Sequence, residues 1–392
     1  MEQAWEIGLI VWTVAGCLIW MYVGGSALRS MLRLDELGAV DVPAGIPRPF
    51  VSVIVPACNE AAALRDAQLS LLGQDYGRFE VILVNDRSTD ATGALVDEIA
   101  AGDARVRALH IESLPAGWLG KVNAMHTAAG MARGELILFT DADIVFQPDA
   151  LRRAVDYVQA HRLDHLAALP RLETESFWLK LLCNAFGVHF MAGMHRQADP
   201  ARPEAIGVGA FNMVRRETFM RHGGFERLRL EVADDVGLAK YLAENGARSS
   251  IVLAQSMLAV EWYASIGDMI RGFEKNLFAA VAGFSYPRAV FITLFVVLYS
   301  LAPFAGIPVG SPVAVLPGLL VALFLFAGIV VSRRRVSGVG FEAMLMPLGL
   351  LALAVAIANS AWQAWRRKGI AWRGTLYSIA ELRRHQYVRM FK

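Results

Sequence analysis

The chain has 392 residues, of which 55% are hydrophobic, and carries a formal net charge of +2 at pH 7. Its mean hydropathy of +0.41 is too high for an ordinary soluble domain, and the near-neutral charge gives no support for a nucleic-acid partner. The cysteines Cys17, Cys58 and Cys183 lie too far apart for a metal-binding or disulfide framework, which suits a reducing cytoplasmic setting. No sequence feature indicates an obligatory protein partner.

The N-terminal segment predicts a membrane anchor over residues 1–33. Residues 7–28 contain no charge and are long enough to span a bilayer. Arg29 and Arg33 follow this run, so the positive-inside rule predicts an external N-terminus and a cytoplasmic remainder. A cleaved signal peptide is the alternative, but the segment before the run is acidic. A proline-bearing linker is expected over residues 34–50.

Residues 51–260 have the pattern of an α/β domain. Strands are predicted at 51–55, 81–84, 105–111 and 135–140, with helices between them, and later at 165–170, 207–215 and 250–253. Strands that alternate with helices predict a mixed, mostly parallel sheet with helices on both faces. A further helix is predicted to begin at Val236.

The C-terminal third predicts a return to the membrane. Residues 261–288 have the spacing of an amphipathic interfacial helix, although a plain surface helix is the alternative. Residues 289–365 contain three apolar stretches, and residues 366–392 form a basic tail. If all three stretches cross the bilayer, the tail falls outside, against the positive-inside rule. We therefore expect a cytoplasmic tail and a third stretch that is re-entrant or interfacial, unless another segment fails to cross.

Acidic residues follow two of the predicted strands. Asp86 comes after the strand at 81–84, and Asp141 and Asp143 come after the strand at 135–140. Carboxyl ends of parallel strands border the crevice in which open α/β sheets bind ligands. Two carboxylates one residue apart can hold a hard divalent cation, and that cation can hold a diphosphate. Turn and cap chemistry is the alternative for Asp86, and it is the expected role of Asp90.

These motifs together resemble a known enzyme family. In chain order they are Pro56-Ala57-Cys58-Asn59-Glu60, Asn85-Asp86-Arg87-Ser88-Thr89-Asp90, Asp141-Ala142-Asp143 and Asp234-Asp235. The set resembles inverting family-2 glycosyltransferases of GT-A (Rossmann-like) fold. Trp118-Leu119-Gly120-Lys121, Trp372-Arg373-Gly374-Thr375-Leu376-Tyr377 and the membrane segments are similar to a narrower group, the bacterial hopanoid-associated and carotenoid glycosyltransferases.

The resemblance implies a role for each motif. The residues that would bind the donor are Pro56, Asn59, Glu60, Asp86, Lys121 and Asp141. Asp86 would accept a hydrogen bond from the nucleobase of the donor. Asp143, with Asp141, would hold Mg²⁺ or Mn²⁺. Asp235 would be the base, while Asp234 and Asn212 would lie on the acceptor side. Trp262 would offer the acceptor a stacking surface, although ordinary burial is an equal alternative.

Simpler structural roles exist for two of these sites. Asp234 and Asp235 can cap the helix predicted to begin at Val236, and Lys121 can be a solvated lysine at a helix start. The segment around Lys121 lacks Walker spacing and is not a P-loop.

The predicted function is inverting transfer of one sugar from a nucleotide-diphosphate sugar, expected to be a UDP-sugar, to a membrane lipid. Processive synthases of this fold carry a Gln-x-x-Arg-Trp motif, and residues 269–276 lack it, which favours a single addition. The predicted location is a bacterial-type inner membrane, multi-pass, with a cytoplasmic catalytic domain. The alternatives are a polyprenyl-phosphate glycosyltransferase, an inactive membrane scaffold and a soluble nucleotidyltransferase.

Overall fold

The computed structural model describes residues 2–41, 45–194 and 205–388. The last residues of the predicted tail, 389–392, and three residues of the predicted linker, 42–44, lie outside the described residues. The helices are α1 Glu2–Arg33, α2 Ala61–Leu72, α3 Thr92–Gly102, α4 Gly120–Met131, α5 Ala150–Ala160, α6 Phe177–Gly193, α7 Arg216–Arg221, α8 Asp234–Glu244, α9 Ile266–Asn276, α10 Tyr286–Leu301, α11 Pro312–Ser332, α12 Met346–Arg367 and α13 Ile379–His385. The strands are β1 Val51–Ala57, β2 Phe79–Asp86, β3 Val106–Ile111, β4 Leu136–Phe139, β5 Val145–Phe146, β6 His165–Leu172, β7 Asn212–Arg215, β8 Ser249–Val260, β9 Gly369–Trp372 and β10 Thr375–Ser378.

Strands β1 to β8 form one mixed sheet in the order β3-β2-β1-β4-β7-β6-β8-β5. β1 pairs in parallel with β2 and β4, β2 with β3, and β6 with β8, whereas β7 is antiparallel to both its neighbours. Every residue of β1 is buried, because helices cover both faces of the parallel half. One face packs on α2, α3 and α5, and the other on α4 and α8. The predicted mixed, mostly parallel sheet is confirmed.

The register of the parallel strands brings their carboxyl ends to one edge. Ala57 of β1 lies opposite Asn85 of β2, and Ile54 of β1 lies opposite Phe139 of β4. The residues that follow these strands therefore meet at the same end of the sheet. This edge contains the candidate site.

Four helices among the described residues are long and apolar enough to cross a membrane. They cover Gln3–Arg33, Tyr286–Phe304, Pro312–Ser332 and Phe341–Arg367. Their outer surfaces expose large apolar side chains such as Phe291, Leu319 and Leu323. Exposed apolar surface of this extent is typical of a membrane-embedded region. The apolar helices predicted at both ends of the chain are confirmed as structural elements.

Helix α9, at the centre of the predicted interfacial region, differs from the expected orientation. Its apolar residues Met269 and Phe273 are almost fully buried, and they pack with residues of α6 and α12. Ser360 of α12 donates to the Glu274 carbonyl at 2.6 Å, and Arg367 contacts the Glu274 carboxylate at 2.8 Å. The apolar face of α9 therefore points into the protein, because α6 and α12 lie between it and the exterior.

Helix α12 has both ends close to the α/β domain. Before it, Gly338 lies beside the Leu172 carbonyl at the end of β6. After it, Ile370 and Tyr377 are buried in the core that contains α4 and α8. The residues before and after α12 therefore both contact this domain. The side of the membrane on which the domain lies stays a prediction.

Candidate active site

Five predicted residues and one glycine meet at the carboxyl end of β4. One small pocket is lined by Lys121, Asp141, Asn212, Asp234 and Asp235, and Gly209 forms part of its wall. Asp141 follows β4, Lys121 lies in the first turn of α4, and the two aspartates lie in the first turn of α8. The sheet thus positions Asp141 and Asn212, and two helix starts bring the other side chains to them.

Lys121 is held among carboxylates. Its Nζ lies 2.6 Å from Asp141 Oδ1 and 3.8 Å from Asp234 Oδ2, and only 15% of the side chain is exposed. Burial acts to lower the pKa of Lys121, but Asp141, Asp234 and Asp235 outweigh it and raise that pKa above its ordinary value. Burial acts to raise the pKa of Asp141, but Lys121 holds it below its ordinary value. Lys121 is therefore a fixed positive charge within the pocket.

Asp235 is held by two backbone N–H donors. Its Oδ2 accepts from Gly209 N at 2.8 Å, and its Oδ1 accepts from Val236 N at 2.8 Å. Burial first, and then repulsion from Asp234, raise the pKa of Asp235 to about 6, although Lys121 opposes the change. A carboxyl group with this pKa is ionised at neutral pH and binds a proton more strongly than an ordinary aspartate, as a general base requires.

Helix α8 begins two residues before the predicted start. Its N-cap is Ala233, which makes no side-chain cap, and Asp234 and Asp235 are its first two residues. Neither aspartate therefore occupies the N-cap position. Both still benefit from the positive end of the helix dipole.

Gly209 keeps the pocket open. A methyl group at this position would stand 2.9 Å from Asp141 Oδ2 and 3.5 Å from both Lys121 Nζ and Asp235 Oδ2. Any larger residue would therefore project among the charged groups. The requirement here is for space rather than for an unusual backbone angle.

Asn212 contacts the backbone of Asp235. It is almost fully buried in β7, and its Nδ2 donates to the Asp235 carbonyl at 3.4 Å. Its Oδ1 accepts from His165 Nε2. Burial lowers the pKa of His165 to about 4, so the ring is neutral at pH 7. Asn212, predicted to lie on the acceptor side, is thus in contact with the backbone of the predicted base.

Asp143 and Glu60 form the second acidic part of the site. Burial, Asp141 and Glu60 together raise the pKa of Asp143 to about 6. Glu60 lies 3.5 Å from Arg373 Nη2. Burial raises the pKa of Glu60 although Arg373 opposes it. Among the described residues no Lys, Arg or His side chain forms an ion pair with Asp143, so its carboxylate is a suitable ligand for a divalent ion.

The described residues contain no ready-made group of three or more His, Cys, Asp or Glu side chains able to hold a metal. A cation at Asp143 and Asp141 would therefore need further ligands from a bound diphosphate and water. Mg²⁺ is commonly held in this way, by one or two carboxylates and substrate phosphates. The residues fit such a shared site.

Asp86 lies at the end of β2 but is closed off by its neighbour. Its side chain is 0% exposed, and both oxygens accept from Arg87, at 2.8 and 3.1 Å. Gly120 packs directly over the pair, because a methyl group there would overlap the Arg87 guanidinium. A nucleobase that binds Asp86 must first displace Arg87, so the predicted hydrogen bond between Asp86 and the nucleobase stays a prediction.

The remaining donor-side residues shape the loops around this edge. Pro56 is buried within β1. Asn59 adopts a left-handed φ of 58°, and its Oδ1 accepts from Thr89 N at 2.8 Å. Asp90 accepts from Thr92 N at 2.9 Å, next to the start of α3. These contacts join the loops after β1 and β2.

Trp262 lies outside the pocket that contains Asp235. It packs with Phe186, Tyr263 and Phe273 at ring-centroid distances of 5.2, 5.3 and 5.5 Å. This aromatic cluster lies between α6 and α9. The predicted stacking surface for the acceptor is therefore largely occupied by protein side chains.

Sequence reasoning gave no individual role to Arg87 or Arg373. Arg373 belongs to the Trp372–Tyr377 motif, but more than 130 residues separate it from the nearest of the acidic motifs. Only the packing of the C-terminal hairpin brings it beside Glu60. The unusual Arg373-Gly374 pair was the one sequence feature that could have drawn attention to Arg373.

Comparisons with known proteins point to glycosyltransferases. Residues 52–223 match the family model described as "Glycosyl transferase family 2". A "Beta-monoglucosyldiacylglycerol synthase" of Nostoc sp. is 27% identical over 58% of this chain and 51% of its own length. An "N-acetylglucosaminyltransferase" of Mesorhizobium japonicum is 34% identical over 42% of this chain and 39% of its own length. The chain thus matches about half, or less, of these relatives.

A solved structure shares the fold. The mannosyltransferase PcManGT from Pyrobaculum calidifontis, in complex with GDP-Man and Mn²⁺, has a TM-score of 0.53 and 19% identity. The match covers 91% of this chain and 98% of that chain. At this identity the likeness concerns the fold alone.

Proposed function

We propose that this protein transfers one sugar from a nucleotide-diphosphate sugar to a membrane lipid with inversion at the anomeric carbon, because residues 52–223 match the family-2 glycosyltransferase model. The observation that carries the proposal is the pocket in which Lys121, Asp141, Asp234 and Asp235 meet, in a chain whose described residues also include four helices able to span a membrane. The expected donor is a UDP-sugar, and the expected acceptor group is a hydroxyl or carboxyl group of the lipid.

Asp235 is the proposed base. Its carboxylate takes the proton of the acceptor hydroxyl while the acceptor oxygen bonds to the anomeric carbon. The bond from that carbon to the diphosphate oxygen breaks, and its electron pair leaves with the nucleoside diphosphate. Attack opposite the leaving group inverts the configuration. The Gly209 and Val236 N–H groups orient the carboxylate, so little reorganisation is needed.

Lys121 has a supporting role in this proposal. Its ammonium holds Asp141 at 2.6 Å and lies near Asp234. It therefore helps to keep the neighbouring carboxylates ionised, and is less available to the diphosphate than an unpaired lysine.

A divalent cation, Mg²⁺ or Mn²⁺, would be held by Asp143 with Asp141. When bound, it supplies Lewis-acid neutralisation of the leaving diphosphate. The raised pKa of Asp143, about 6, reflects the crowding of acidic groups that a cation would relieve.

The lipid acceptor is supported by the position of the apolar helices. Trp362 and Trp365 of α12 stack at 5.1 Å and are both exposed. Tryptophan is enriched at membrane interfaces. α12 also contacts α9 through Glu274, close to the domain. A headgroup held at the interface would therefore lie near the catalytic domain, which we expect to face the cytoplasm.

The raised pKa of Asp235 favours a hydroxyl acceptor over a polyprenyl phosphate. A phosphate acceptor is already ionised and needs no base, and the same holds for a carboxylate, whereas a hydroxyl group needs one. Of the two expected acceptor groups, a base at Asp235 therefore favours the hydroxyl. The lack of Gln-x-x-Arg-Trp in residues 269–276 supports a single addition.

The test is transfer of labelled sugar from UDP- and GDP-sugars into a membrane lipid extract, with Mg²⁺ or Mn²⁺ and with EDTA. We expect metal-dependent label in the organic phase, and its loss in Asp235→Asn. Asp66→Asn, the same change on the exposed surface of α2, is the matched control and should transfer normally.

Other results would contradict parts of the proposal. Label only in water-soluble or polymeric product would refute the lipid acceptor. A glycolipid that releases its sugar in mild acid, made equally well by Asp235→Asn, would indicate a phosphate acceptor. No transfer from any nucleotide sugar would favour a scaffold.

A further inference from the structure

The C-terminal hairpin reaches into the donor side of the candidate site. β9 and β10 pair antiparallel with Trp372 opposite Thr375, so Arg373 and Gly374 form a two-residue turn. Their φ angles are 46° and 78°. Two-residue hairpin turns with both φ positive normally hold Asn, Asp or Gly at the first position. An arginine there is an uncommon choice, and its side chain lies beside Glu60.

The hairpin is fixed in place by the domain. Ile370 and Tyr377 are buried against the core beneath α4. Farther along the tail, Glu231 Oε2 accepts from Tyr387 N at 2.6 Å and from Val388 N at 3.0 Å. The turn is therefore a fixed part of the wall of the site, and the packing of the hairpin determines the position of Arg373.

The guanidinium of Arg373 is only partly satisfied. Its Nη2 lies 3.5 Å from Glu60 Oε1, which is a long contact for an ion pair. Its Nη1 is buried and has no hydrogen-bond partner among the described residues. A buried N–H donor without a partner is costly unless an acceptor binds there.

A second cation lies next to the same turn. Lys275, in the last turn of α9, holds its Nζ 3.8 Å from the ring centroid of Trp372. Within the described part of the chain, it has no carboxylate within 4.0 Å, whereas Lys121 is paired with two aspartates. The face of an aromatic ring holds a cation without neutralising it. Arg373 and Lys275 thus supply positive charge that the site's own carboxylates leave available.

We propose that the Trp372-Arg373-Gly374-Thr375 turn binds the diphosphate of the nucleotide-sugar donor, with Arg373 as the main contact and Lys275 as the second cation. This inference rests on the proposed function and assigns the leaving group a binding element outside the matched residues 52–223. On donor binding, the phosphate oxygens accept from Arg373, including the unused Nη1. As the bond to the sugar breaks, the added negative charge on the diphosphate stays beside two cations.

The arrangement also gives Glu60 a defined role. In the structure it holds Arg373 through one long contact while the backbone N–H of Glu60 donates to Thr92 Oγ1 at 2.9 Å. A diphosphate would compete with this carboxylate for the guanidinium. Glu60 is therefore a positioning residue that holds Arg373 over the donor side before the donor arrives.

The test is equilibrium binding of UDP and of GDP to the full chain in detergent or nanodiscs, each with its phosphate-free nucleoside as comparison. Arg373→Asn removes the charge and retains a residue that tolerates a left-handed φ. We expect the better of the two diphosphates to bind about tenfold more weakly or worse, equivalent to the loss of one charged contact, with nucleoside binding unchanged. Arg373→Lys should restore part of the loss, and Arg383→Asn, on the exposed face of α13, should bind like the wild type.

Three outcomes would overturn the inference. Unchanged diphosphate binding in Arg373→Asn would remove Arg373 from the donor site and leave the proposed function standing. Equal weakening of diphosphate and nucleoside, with a lower melting temperature, would show that the turn only supports the fold. Failure of the wild-type protein to bind either diphosphate would overturn the proposed function, and this inference with it.

Discussion

The strongest test of the proposed base is to remove the positive charge beside it. Lys121→Met keeps most of the side-chain volume and deletes the ammonium. Lys121 Nζ and Asp235 Oδ2 each lie 3.5 Å from the position that a Cβ atom on Gly209 would occupy, so these two atoms are at most about 7 Å apart. At an effective dielectric constant of about 20, unit charges at about 7 Å attract by about 2 kcal/mol, which corresponds to more than one pKa unit.

The sign of the effect follows from the charge. Lys121 favours the ionised form of Asp235, so its loss raises the pKa of Asp235 from about 6 to above 7. A base works when deprotonated, so activity is lost as the pH falls through its pKa. At pH 7 the wild-type carboxylate is about nine-tenths ionised, and the variant carboxylate is less than about half ionised.

The assay is the pH profile of kcat/KM for transfer to the lipid, measured from about pH 5 to about pH 9, because this profile reports the free enzyme. We expect the acid limb to move from near pH 6 to above pH 7 in Lys121→Met. Lys121→Arg keeps the charge and should keep the limb. The position of the limb is the result, since a loss of donor binding would lower the whole profile without moving it. An acid limb at the same pH in both variants would refute Asp235 as the group that titrates.

Further predictions concern stability, space and metal. The pKa of Asp235 is higher in the folded chain than its ordinary 3.8, so its ionised form costs stability at pH 7, and the cost disappears as the pH falls below both values. Asp235→Asn should therefore raise the melting temperature at pH 7 by a few degrees and lose this advantage near pH 4; a lower melting temperature at pH 7 would contradict the assignment. Gly209→Ala should reduce kcat/KM by about 100-fold or more, since its methyl group enters the pocket 2.9 Å from Asp141 Oδ2. Gly102→Ala, which meets no atom within 4 Å, should leave activity unchanged, and equal effects of the two changes would refute the steric reason. EDTA should weaken donor binding in the wild type and have no further effect in Asp143→Ala; EDTA sensitivity retained in that variant would remove Asp143 as the ligand.

The class of fold and the location of the site followed from the sequence. Strand and helix periodicities depend on local burial, and carboxyl ends of parallel strands always meet at one edge. Asp141 therefore had to lie near the residues after β2. The apolar stretches also followed, because hydrophobic length needs no tertiary information. The reaction that the site catalyses did not follow from these patterns and stays a proposal.

Only the tertiary structure decided how the charges are paired and which faces are covered. Asp86 is enclosed by Arg87 at 2.8 Å, and the apolar side of α9 is covered by α6 and α12. Arg373 reaches Glu60 from more than 300 residues away in the chain. The sequence pattern determines which residues each element can bury or expose, whereas contacts between distant elements depend on packing geometry that no local pattern contains.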